Sequence, residues 1–211
     1  MREIPLCDVK DENHRRGSFI CPRRCDRPWG RRNRNFDRVD GKPNVTALLG
    51  NHEWMMLNAL WGKRLLADTR LWYRNGGVLT YGAYIQLPQK QQDEIQRYIR
   101  QRPLSAEVTV NGVDYLLVYS APPELIDTIP SKYTANPAFA LWTRVMPDDQ
   151  MPDGKMVIFG HTPTAYYQDD IPLRIWYGED KIGIDCGSGN EHPVCRLACL
   201  RLDDMTEYYS D

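Results

Sequence analysis

The stretch Val45-Thr46-Ala47-Leu48-Leu49-Gly50-Asn51-His52-Glu53 decides the fold class. Its first five residues form a short apolar run that ends in the turn pair Gly50-Asn51, the pattern of a buried strand. From Glu53 to Ala67, the residues Trp54, Leu57, Leu60, Trp61 and Leu65 recur at spacings of three and four, which predicts an amphipathic helix. A buried strand, a tight turn and a helix in succession suggest an α/β domain. In such domains the polar residues where strands stop are the ones placed to do chemistry.

The chain downstream keeps that texture. Leu87-Pro88 opens a second helix running to about Arg100, with proline suited to the first turn. Ala106–Val110 and Val113–Tyr119 flank Asn111-Gly112, a strong hairpin signal. Pro137–Val145 reads as a short helix, Met156–Phe159 as a buried strand, and Ile182–Cys186 and Arg196–Leu202 as closing strands. The expectation is a layered α/β sandwich occupying residues 38–211. Upstream, residues 1–37 differ: nine arginines fall between Arg15 and Arg38, with few large apolar residues and no strand or helix period.

The bulk numbers fit a protein of one domain. A chain of 211 residues can bury a sizeable core. With 42% hydrophobic residues and a net charge of -1, it gives no global reason to expect nucleic-acid or anionic-membrane binding. No apolar run approaches a membrane span, and the first residues lack the apolar core of a signal peptide. The expected location is the cytoplasm, where Cys7, Cys21, Cys25, Cys186, Cys195 and Cys199 would be free thiols.

Three strand-end clusters carry the chemistry. In Gly50-Asn51-His52-Glu53, asparagine offers a neutral oxygen ligand and histidine can donate a proton to a leaving oxygen. Glutamate can orient that histidine and favours a helix N-terminus. A capped helix start with an incidental histidine is the plainer reading. Gly160-His161-Thr162-Pro163 follows an apolar strand, an arrangement open to a metal ligand or to a loop histidine. In Ile184-Asp185-Cys186-Gly187, Asp185 reads equally as the partner of a ligating histidine or as a turn aspartate.

Taken together and in this order, LLGNHE, GHTPT and IDCGSG resemble the PPP-type, calcineurin-like metallophosphoesterases, whose third motif is usually IDTG. The flavour is that of bacterial serine/threonine protein phosphatases and symmetrical bis(5'-nucleosyl)-tetraphosphatases, and the resemblance runs from about Pro43 to the C-terminus. It implies an αββα sandwich with a divalent metal pair of manganese, iron, zinc or magnesium, manganese being favoured. By the same resemblance Asn51 and His161 are ligands of one metal and His52 protonates the leaving group. Trp142-Thr143-Arg144 resembles the WxR segment whose arginine grips the phosphate, against the plainer reading of Arg144 as an exposed helix arginine. The implied reaction is metal-activated attack of water on a phosphoprotein or a dinucleoside polyphosphate.

The pattern also breaks. No DxH motif lies near the N-terminus, no GDxxDRG precedes GNHE, and Tyr119 stands where the family has a metal-binding histidine. Cys21 to Asn35 reads CPRRCDRPWGRRNRN. One permitted set of codons, shifted by one base, reads VLGDVIDRGAGGIEI and so contains the missing GDxxDRG. Residues before about Phe36 are therefore read as out of frame, with the N-terminal strands missing or altered. A zinc site of Cys7, His14, Cys21 and Cys25 matches no ligand spacing in use, and the arginines follow from the shifted codons. Such losses imply impaired hydrolysis, or alternatively a non-catalytic phosphate- or protein-binding relic of the same fold.

Overall fold

The computed structural model describes residues 45–188 and 194–210. The arginine-rich segment, with the stretch read above as frame-shifted and with Cys7, His14, Cys21 and Cys25, lies outside the described residues. The helices come first in the chain: α1 Asn51–Trp61, α2 Leu66–Trp72, α3 Val78–Tyr84 and α4 Gln89–Arg100. The hairpin β1 Ser105–Val110 and β2 Val113–Val118 follows, then α5 Ala138–Trp142, β3 Lys155–Phe159, β4 Trp176–Tyr177 and β5 Lys181–Gly183. A second hairpin, β6 Ala198–Arg201 and β7 Thr206–Tyr209, closes the described chain.

Five strands form one mixed sheet in the order β1-β2-β3-β5-β4. The outer pairs β1/β2 and β4/β5 are antiparallel, while β3 runs parallel to β2 and to β5. The chain turns from β1 into β2 as the sequence predicts: Asn111 and Gly112 both have positive φ, 52° and 80°. That is the geometry of a tight hairpin turn, for which asparagine and glycine are suited.

Alternation along the strands sends side chains to two faces. Leu116, Val118, Val157 and Phe159 share a buried cluster with Phe139, Val145 and Ile129. Tyr115, Leu117, Ile158 and Ile182 share another with Ile175, Ala198 and Cys186. A third cluster joins the helices through Met55, Met56, Trp72, Ile95 and Ile99, and it includes Tyr119 from the end of β2.

Two expectations change. Residues 45–49 belong to no ladder among the described residues. Instead the Leu49 amide donates to the Pro103 carbonyl at 2.8 Å and Arg102 Nη1 donates to the Leu48 carbonyl at 3.1 Å. Leu48 and Leu49 enter two different buried clusters, so burial of the apolar run is satisfied without a strand partner. The helix expected over Glu53–Ala67 breaks after Trp61, with Arg64 at φ 53°, and resumes as α2 at Leu66. No described helix is long and apolar enough to cross a membrane.

Candidate functional site

The first turn of α1 is where the site begins. Gly50 is extended (φ -101°, ψ 166°) and its carbonyl accepts the Trp54 amide at 3.0 Å, so the helix starts at Asn51 without a side-chain cap. A Cβ on Gly50 would stand 2.5 Å from Glu53 Oε2 and 3.0 Å from Tyr119 Cε2. The missing side chain is what lets Glu53 and Tyr119 close over this turn. Asn51 and His52 are consequently buried, at 4% and 6% exposure.

Tyr119 follows directly on β2, and its hydroxyl donates to Asn51 Oδ1 at 2.7 Å. Its own carbonyl accepts the Gly160 amide at 3.1 Å, which ties the end of β2 to the end of β3. His161 comes next, in the left-handed region at φ 66°, uncommon for a residue with a side chain. Its ring lies 5.4 Å from the Tyr119 ring and 5.9 Å, edge to face, from Trp142. The fold thus brings Asn51, Tyr119, His161 and Trp142 together from four separate segments, with His52 in the same buried turn as Asn51.

Arg144 sits outside that buried set. It is exposed, and its guanidinium carbon lies 5.0 Å from the centre of the Tyr166 ring, on the turn that follows His161. Asp185 plays the turn role at one of its oxygens: Oδ1 accepts the Gly187 amide at 2.9 Å, while the backbone carbonyl accepts the Thr164 amide at 2.9 Å. Beside it the Cys186 thiol is pushed up to about 12, chiefly by burial, and so stays protonated at neutral pH. Cys186, Cys195 and Cys199 form no disulfide; the other three cysteines lie outside the described residues.

The described residues do not by themselves fit a pair of divalent ions. A metal pair needs carboxylate oxygens to offset the repulsion between the ions, and histidine rings open to them. Here the Asn51 oxygen accepts the tyrosine hydroxyl with one of its two lone pairs, and the half-buried His161 ring packs beside Tyr119 and Trp142 with no carboxylate cluster around it among the described residues. No group of three or more His, Cys, Asp or Glu side chains able to hold a metal occurs among the described residues.

Sequence reading marked Tyr119 only as a substitution for a ligand. Its bond to Asn51 spans 68 residues, a contact no local pattern reports. Tyr166 went unnoticed altogether; as an exposed aromatic three residues after a histidine-containing turn, it carries no periodic signal.

No family model matches the chain. No curated protein matches it either. Among solved structures it is similar to the crystal structure of a hypothetical protein from Pyrococcus horikoshii OT3, at 13% identity and a TM-score of 0.46. The match covers 84% of this chain and 66% of that one.

Proposed function

We propose that this chain is a metallophosphoesterase-type domain, of the αββα kind used by serine/threonine protein phosphatases and symmetrical tetraphosphatases, in a form with impaired hydrolysis. The observation that carries the reading is the meeting of Asn51, His161 and Tyr119 at the ends of their segments. Those are the positions at which the LLGNHE and GHTPT resemblance expects ligands, and Tyr119 is the position at which it expects a third. Coverage of both sheet faces supports the layered arrangement.

The same observation favours the non-catalytic side of this reading. When bound, a divalent pair would supply an activated water and charge neutralisation at phosphorus. The Tyr119 hydroxyl occupies one of the two acceptor positions of the Asn51 oxygen, and no cluster of three metal-ligating side chains occurs among the described residues, so no hydrolytic step is assigned to them. What remains is His52 buried beside Asn51, with Arg144 exposed nearby in sequence to the Trp142 that touches His161. That set suits retention of a phosphate-bearing ligand, a phosphoprotein or a dinucleoside polyphosphate, better than its turnover.

The test is to incubate the purified chain with manganese, count bound metal, and assay a phosphopeptide beside diadenosine tetraphosphate. The proposal expects fewer than two ions per chain and no manganese-stimulated release of product from either compound. Two ions with stimulated turnover would make this a working hydrolase and overturn the impaired reading. The coding sequence upstream of the Phe36 codon tests the frame shift separately, since codons incompatible with the shifted GDxxDRG reading would remove it.

A further inference from the structure

The segment that carries Arg144 is held on both sides. The Thr143 carbonyl accepts the Ser120 hydroxyl, and the Thr143 and Ser131 hydroxyls share a hydrogen bond of 2.7 Å. One residue beyond Arg144, the Val145 carbonyl accepts the Tyr167 hydroxyl at 2.7 Å. Thr143 and Val145 are 5% and 1% exposed, so Arg144 stands as the exposed residue between two buried anchors.

Tyr166 and Tyr167 divide the work on this segment. Tyr167 grips its backbone, while the Tyr166 ring, 67% exposed, lies beneath the guanidinium. Among the described residues no carboxylate lies within ion-pairing distance of Arg144. A guanidinium resting on an aromatic face keeps its edge N–H groups available for two-pronged contact with an anion, and loses less freedom when it makes that contact. Two residues away, Trp142 touches His161, which places this segment beside the candidate site.

We propose that Tyr166 is a positioning residue for Arg144, the arginine to which the phosphoesterase-type reading above gives the phosphate; the inference rests on that reading. Tyr166 acts through its ring face and not through its hydroxyl. A guanidinium held in this way can contact an anion without a metal.

The test titrates inorganic phosphate into the full chain at fixed ionic strength and follows binding by the phosphorus resonance. The unmodified chain is expected to saturate, and Arg144→Ala to lose that saturation. Tyr166→Ala should weaken binding about two- to fivefold, the share a single exposed cation–aromatic contact contributes. Tyr166→Phe, which keeps the ring, should bind as the unmodified chain does. Thermal unfolding of each variant checks that the exposed substitution leaves the fold intact. If Tyr166→Ala binds normally while Arg144→Ala does not, the positioning role is overturned and the site reading survives. If Tyr166→Phe weakens binding as much as Tyr166→Ala, the ring-face explanation is overturned. If the unmodified chain shows no saturable binding, the phosphate reading of the site is itself overturned, and the positioning role with it.

Discussion

Tyr119 joins two of the segments that meet at the candidate site, bonding to Asn51 and packing beside His161. A histidine there would offer a ring nitrogen; the tyrosine offers a hydroxyl, and that hydroxyl donates to Asn51 Oδ1 in a buried setting. Tyr119→Phe keeps the ring against His161 but removes the donor to a buried amide oxygen. The expected cost is about 1–3 kcal/mol of folding stability, the usual penalty for stranding a buried polar group, and urea unfolding measures it. Retained stability would mean that the hydrogen bond contributes little to holding the turn. Asp185 makes the complementary point: its side-chain bond to the Gly187 amide is a turn contact, one of the two readings that its sequence context left open.

At the scale of elements, legibility followed locality. The β1–β2 hairpin and α4 were readable because Asn111-Gly112 and Pro88 act on their own neighbours. The run 45–49 was not, because a strand is defined by a partner, and its backbone bonds go to Arg102 and Pro103 instead. The region from Leu66 to Tyr84 was missed for a different reason. Leu66, Leu71, Val78 and Leu79 are exposed, so apolar residues there do not mark the buried face that periodicity is used to find. Between α2 and α3 the chain kinks at Asn75 and Gly76, the latter at φ 87°. Two glycines in this region should respond oppositely to alanine. A Cβ on Gly77 would stand 2.6 Å from the ring of Trp72, which is 1% exposed and has no room to yield. Gly77→Ala is therefore expected to cost about 1–3 kcal/mol by overpacking. Gly82, within α3, would place its Cβ in open space, and Gly82→Ala should stabilise by about 0.5–1 kcal/mol. Thermal or urea unfolding of the two variants reads both signs; the same sign for both would contradict the packing described for this kink.

Across the whole molecule, distant segments converge. Asn51 opens the first helix, Tyr119 ends β2, and His161 follows β3, yet they form one cluster. The sequence made each strand-end motif visible, because glycine, histidine and asparagine beside apolar runs are local patterns. It did not show that Tyr119 binds Asn51, because that depends on how β2 docks against α1. The proposal of an impaired metallophosphoesterase-type domain stands or falls with that docking. Its most direct test is a double-mutant cycle of Asn51→Ala and Tyr119→Phe, followed by urea unfolding. Direct contact between the two side chains is expected to give a coupling energy of about 0.5–3 kcal/mol. Strictly additive losses would mean that the two side chains do not meet, and would contradict the site from which the proposed function is drawn.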